Sequence, residues 1–212
     1  MFCMDILEAL KWRYAVKKFD ANKKLTDPQV DRLLDGLCLT ATSMGMQLME
    51  FLVIQEDLLK EKIYPIAYNQ SQIKDCSHLI VLCRKAVVNE EDIDELIHLT
   101  AEKRKLEKET LSGFKQMLSS TLRMTPSQQA HWMENQVYIA MGNLLTICAV
   151  EQIDACPMEG FNSADLDQVL KLSEKGLKSV LMCAVGYRSS EDKYNGLQKV
   201  RRKRKNLVHF LD

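Results

Sequence analysis

"TPSQQAHWMENQVYIAMGNLLTICAVEQ", residues 125–152, is the most strongly patterned stretch of the chain. Thr125 is a good N-cap, and Pro126 suits the first helical position, where its missing N–H leaves nothing unpaired. From Trp132 to Val150 the apolar residues cover nearly the full circumference of a helix. Such a helix needs a large core or a partner subunit, so the stretch predicts a central helix and suggests dimerisation. Working outward, "SHLIVLCRK" (77–85) and "KSVLMCAVGYR" (178–188) are apolar and rich in β-branched residues, and read as buried strands. "EFLVIQ" (50–55) reads as a third strand. Asp5 can cap a first helix carrying Ile6, Leu7, Leu10 and Trp12 on one side, and Thr26 with Pro28 starts a second. "EDLLKEKIYPIA" (56–67) and "FNSADLDQVLKL" (161–172) have helical periods, and the charged residues 89–123 read as peripheral helices. Without repeats, low-complexity segments or Gly/Ser linkers, the pattern predicts a single α+β domain over 1–212.

Composition narrows the function. Of the 212 residues, 46% are hydrophobic and 27% charged, and 29 Lys plus Arg balance 29 Asp plus Glu. No global field would hold such a chain on nucleic acid or an anionic membrane, so neither is expected as a partner. The N-terminus is charged from residue 5 and does not read as a signal peptide, and no apolar run reaches the roughly 18 residues of a membrane span. The seven cysteines are odd in number, scattered and free of C-x-x-C pairs, which reads as buried free thiols in a reducing cytoplasm. The four histidines lack metal-ligand spacing, so no metal site is expected. No G-x-S-x-G, Walker loop, G-x-G-x-x-G or H-E-x-x-H is present, so in an enzyme a cofactor would supply the reactivity.

"WRYAVKKFD" (12–20) places Arg13 and Lys17 four apart with Ala15 between them. If the first helix continues, Arg13 and Lys17 share a face; if the chain extends, Arg13, Ala15 and Lys17 do. Either geometry offers two cations to one anion. At the other end, "KVRRKRKN" (199–206) puts Lys199 and Arg201 on one side of an extended chain and Arg202 and Arg204 on the other.

"LKWRYAVKKFDANKKLT" (10–26) resembles the opening of the FMN-dependent nitroreductase family, with its R-x-S-x-[KR]-x-[FY] segment after the first helix. "AYNQSQIKDCSHLIVLC" (67–83), "WMENQVYIAMGNLL" (132–145), the segment 154–192 with its "CPMEGF", and "LQKVRRKRKNLVHF" (197–210) are similar to further family segments, in order. The oxygen-insensitive NAD(P)H nitroreductase branch is the nearest likeness. The resemblance implies a mixed, mainly antiparallel sheet flanked by helices, and a homodimer in which "NLVHFL" (206–211) adds a strand to the partner's sheet. It implies an FMN site in which Arg13, Lys199 and Arg201 hold the phosphate, with Ala15 where the family has Ser. Lys17 would reach the pyrimidine edge, where a cation stabilises the reduced flavin. Asn69 would bond the ribityl chain or pyrimidine edge, Gln72 would replace a common Lys, and Glu159 and Gly160 would lie beside N5. Thr42, Ser43 and Gln47, in "TATSMGMQLMEF" (40–51), would line the partner's flavin. There Gly45, Leu48 and Met49 replace the branch's Asn, Pro and aromatic, giving a softer wall.

The implied activity is NADH- or NADPH-driven reduction of nitroaromatics, quinones or similar small-molecule acceptors, with no protein residue required as acid, base or nucleophile. A flavin-storage protein, or a reductase of pteridines or activated alkenes, is the alternative.

Overall fold

The computed structural model describes residues 5–211. Four strands form one sheet in the order β1-β2-β4-β3: β1 (Met49–Ile54), β2 (His78–Lys85), β3 (Asp154–Met158) and β4 (Leu177–Gly186). All three pairings are antiparallel. A single parallel bridge, Ala15 to Ala155, extends the sheet beyond β3 and supplies its mixed character. Eight α-helices surround the sheet among the described residues: α1 (Ile6–Trp12), α2 (Asp27–Cys38), α3 (Asp57–Ile66), α4 (Gln72–Asp75), α5 (Glu90–Arg104), α6 (Ser112–Leu118), α7 (Pro126–Val150) and α8 (Ser163–Val169). Strand β3 is not among the elements read from the sequence, which assigned strands only to 50–55, 77–85 and 178–188. Pro157 is tolerated because β3 is an edge strand, where a missing N–H breaks no inner ladder.

The lack of polar alternation in β2 has a direct cause: both of its faces are covered. Leu79, Val81 and Cys83 pack with Ile63, Ile73 and Leu166 on one side. Ile80 and Leu82 pack with Leu33, Leu37, Val137, Ala140 and Leu144 of α2 and α7 on the other. A bulge in β4 keeps both layers filled. Leu82 pairs with Leu181 but Cys83 with Ser179, leaving Val180 unpaired. The slip reverses the in–out alternation, so Leu177 joins the first core while Leu181 and Cys183 belong to the second.

Helix α7 starts as the sequence predicts. Thr125 Oγ1 accepts from the Gln128 N–H, and the Gln128 side chain accepts from the Thr125 N–H at 2.9 Å. Within one chain, however, it is buried on one face only. Met133, Val137, Ala140 and Leu144 are inside, whereas Tyr138 and Ile139 are 48% and 50% exposed. The apolar residues Ile6, Leu7 and Leu10 of α1 are also exposed. Cysteines 76, 83, 148, 156 and 183 are buried and free, but Cys38 at the end of α2 is exposed, which corrects the reading of all seven as buried; Cys3 lies outside the described residues. Among the described residues, 206–211 pair with no strand of the chain, and no helix is long and apolar enough to cross a membrane.

Candidate functional site

Helix α1 ends at Trp12 because Arg13 turns extended, at φ −67° and ψ 144°. The extended alternative therefore holds for "WRYAVKKFD". Ala15 bridges Ala155, the Val16 N–H donates to Ala155 O at 3.3 Å, and Phe19 bridges Arg188. Val16 and Phe19 turn into the core. Arg13, Ala15 and Lys17 instead line one cavity of about 800 Å³, with Trp12, Tyr14, Arg188, Tyr194, Lys199 and Arg201 around it.

The electrostatics of this cavity are unusual. Arg13, Lys199 and Arg201 converge on it, and none of the three forms an ion pair among the described residues. Arg13 Nε is buried without a hydrogen-bond partner among the described residues. Burial lowers the pKa of Arg13, helped by the Arg201 charge, and burial lowers that of Lys199, helped by Arg13 and Arg201. Lys199 is held in place by donating to Leu10 O at 3.0 Å and to Arg13 O, carbonyls at the α1 C-terminus. Arg202, Lys203, Arg204 and Lys205 are all exposed. The cavity thus has the donor set of a dianion site, convergent ammonium and guanidinium groups with unspent N–H donors.

Supporting groups that sequence reasoning missed hold this wall together. The Arg188 guanidinium lies over the Trp12 and Tyr14 rings at 4.3 and 4.6 Å. It donates through Nε to Asp154 Oδ1 at 2.8 Å, while its backbone N–H donates to Asp154 Oδ2 at 2.7 Å. Asp154 is 4% exposed. A charged residue opening an otherwise apolar strand was the only sequence signal for it.

Asp192 performs a second tethering task. Its Oδ2 accepts from the N–H groups of Lys17 and Lys18 at 2.7 and 3.0 Å, and its Oδ1 from that of Tyr194 at 2.8 Å. Burial alone would raise its pKa, but these backbone hydrogen bonds outweigh it and leave the carboxyl below its ordinary 3.8. Because the folded value lies below the unfolded one, the stabilisation is complete above pH 3.8 and is lost as pH falls through the lower folded value. Asp192→Ala should therefore cost about 1.5–3 kcal/mol at neutral pH, the scale of hydrogen bonds to a charged group. Urea unfolding at pH 7 and pH 3 checks this, and the difference from wild type should narrow at the lower pH.

The remaining predicted residues divide into two groups. Around Lys17, Gln72 Nε2 lies 3.8 Å and Lys17 Nζ 3.5 Å from Cys156 Sγ, and Ser71 Oγ donates to Lys17 O at 3.3 Å. Asn69 stands in the same loop in the left-handed region, at φ 56°, which Asn tolerates. Gln70, which the sequence reading passed over, donates to Gly160 O at 2.8 Å. A Cβ at Gly160 would come within 3.1 Å of Gln70 Nε2, so the glycine permits that approach. Exposed Glu159 accepts from Tyr138 Oη at 3.0 Å.

Thr42, Ser43 and Gln47 are not brought to the Arg13 cavity within one chain. The Ser43 N–H donates to Gln136 Oε1 at 2.8 Å, and Thr42 Oγ1 accepts from the Gln47 N–H at 3.1 Å. Gln47 lies in a separate hollow with Leu48, Lys85 and Glu95.

Residues 10–187 match the model of the Nitroreductase family. The chain is 31% identical to the oxygen-insensitive NAD(P)H nitroreductase of Salmonella typhimurium, across 93% of this chain and 95% of that one. It is 29% identical to the major NAD(P)H-flavin oxidoreductase of Aliivibrio fischeri, across 97% and 98%. A chain from Exiguobacterium sibiricum crystallised in complex with FMN superposes with a TM-score of 0.83 at 19% identity, covering 100% of this chain and 99% of that one.

Proposed function

The chain belongs to the nitroreductase family, and from that premise we propose that it is an FMN-dependent NAD(P)H oxidoreductase acting on nitroaromatics, quinones or similar acceptors. The observation that carries the reading is the Arg13 cavity, where three cations meet without a carboxylate and Arg13 Nε is buried unpartnered. That donor set fits the terminal phosphate of FMN, with Arg13, Lys199 and Arg201 holding it. FMN, when bound, supplies the hydride chemistry. The chain binds and orients: Ala15 offers backbone where a hydroxyl is missing, and Lys17, which lines the same cavity, would place positive charge at the pyrimidine edge. Asn69 and Gln72 add polar contacts, and the Glu159–Gly160 turn borders the reacting edge.

The functional unit in this reading is a homodimer. Thr42, Ser43 and Gln47 sit away from their own chain's Arg13 cavity, so they would complete the partner's. Exposed Ile6, Leu7, Leu10, Tyr138 and Ile139, with Leu207, Phe210 and Leu211 beyond the turn at Arg204–Asn206, supply apolar surface to cover. The buried free thiols suit a reducing cytoplasm.

Purified protein should be yellow, dimeric by sedimentation, and able to oxidise NADH or NADPH when menadione or nitrofurazone is added. A yellow protein without turnover would favour flavin storage. A colourless protein that fails to take up FMN would overturn both readings.

A further inference from the structure

The geometry points to Cys156 as a positioning residue that holds the Lys17 ammonium, and so sets how strongly this chain prefers reduced over oxidised flavin; the inference rests on the flavin reading above. Lys17 is pinned at three points. Its N–H donates to Asp192 Oδ2 at 2.7 Å, its carbonyl accepts from Ser71 Oγ at 3.3 Å, and its Nζ reaches Cys156 Sγ at 3.5 Å. The first two contacts fix the backbone and leave the long side chain free to swing. Among the described residues, only the sulfur defines where the charge rests.

Cys156 is suited to this task by its surroundings. It is fully buried on β3, between the core and the cavity wall, and is the common target of two donors from separate segments, Lys17 Nζ and Gln72 Nε2. Its Sγ lies 3.7 Å from Pro157 O, which can accept the S–H and leave the sulfur lone pairs for those donors. A thiol sulfur is a weak acceptor. An ammonium resting on it is localised, at a side-chain entropy cost that the backbone clamps reduce, yet is not bound tightly enough to resist a better acceptor. The pair thus presents a positive charge at a defined position with most of its hydrogen-bonding capacity still available. A cation there favours the more anionic, reduced state of a flavin over the oxidised state.

Two substitutions at this buried position move the charge in opposite senses. In Cys156→Ser the hydroxyl is a stronger acceptor on a shorter bond, so it retains the ammonium. The ratio of oxidised to reduced FMN dissociation constants should fall about tenfold, equivalent to a drop of about 30 mV for a two-electron couple. In Cys156→Ala the ammonium is released toward the cavity, and the ratio should stay level or rise. Lys17→Met should lower the ratio further and abolish the difference between Ser and Ala at 156.

The measurement is the FMN dissociation constant in both redox states by titration, together with the ¹⁵N resonance of the Lys17 ammonium in flavin-free protein. A shift of that resonance in Cys156→Ser, with the tenfold change, supports the assignment. Ratios within twofold of wild type in both folded variants would overturn it, as would a Ser–Ala difference that persists in the Lys17→Met background. If wild type bound no FMN, the flavin reading and its redox consequence would fall together, while the resonance would still report whether Cys156 holds Lys17.

Discussion

Replacing Lys199 and Arg201 together with alanine should weaken FMN binding by about 100-fold or more. A charge-assisted hydrogen bond contributes about 1.5–3 kcal/mol, and each factor of ten corresponds to about 1.4 kcal/mol, so two lost cations account for that range. The same pair of substitutions should leave the stability of flavin-free protein nearly unchanged. Removing Arg201 relieves repulsion on both Arg13 and Lys199, whose pKa values are lowered partly by that charge. Removing Lys199 loses its bonds to Leu10 O and Arg13 O, an opposing effect at an exposed site. A site assembled to receive an anion trades stability for affinity in this way. Fluorescence titration of FMN and thermal melts of the flavin-free protein separate the two effects. Unchanged affinity would refute the phosphate assignment, and a melting point lowered by more than about 5 °C, roughly 1.3–2.5 kcal/mol for a chain of this length, would mean that the cations are structural.

Asp154→Ala should be the most damaging single change to the folded state, costing about 3–5 kcal/mol, the range for removing one partner of a buried ion pair. Asp154 is 4% exposed and accepts from both the backbone N–H and the Nε of Arg188. Truncation leaves the guanidinium over the Trp12 and Tyr14 rings without its carboxylate. Those rings flank Arg13, so loss of FMN affinity should accompany loss of stability. Asp154→Asn keeps one acceptor and should fall between alanine and wild type. Replacing both partners, Asp154→Leu with Arg188→Met, should recover much of the stability, because an apolar pair leaves no buried charge, but not the affinity, because the cation stacked beside Arg13 is gone. Urea denaturation gives the stability and flavin titration the affinity; equal recovery of both in the double variant would show that Arg188 acts only as packing.

Every α-helix among the described residues except the short α4, and three of the four strands, were legible because their signals are local. Thr26 with Pro28 and Thr125 with Pro126 are start signals carried by adjacent residues, and both helices begin there. The apolar run of β2 announces a strand covered on both faces without saying by what. Strand β3 was not legible, because Pro157 and a flanking charge break its pattern, and only pairing with β4 makes it a strand. The bulge at Val180 was equally hidden, since it depends on the register of two strands nearly a hundred residues apart. Among the site residues, Arg13 and Lys17 stood out by type and spacing. Asp154, Asp192 and Arg188 did not, because their importance lies in partners remote along the chain.

The sequence by itself determined the α+β class, the capped helices, the buried strands and the list of cations available to an anion. Local backbone preferences and hydrophobic periods are sufficient for these, since each involves residues within a turn or two of one another. Only the tertiary structure decided that Arg13 lies on extended chain, that Lys199 reaches back to the end of α1, and that Lys17, Gln72 and Cys156 meet at one sulfur. Those juxtapositions are set by sheet register and by burial of charged groups whose partners must be found across the fold, and no local pattern carries that information.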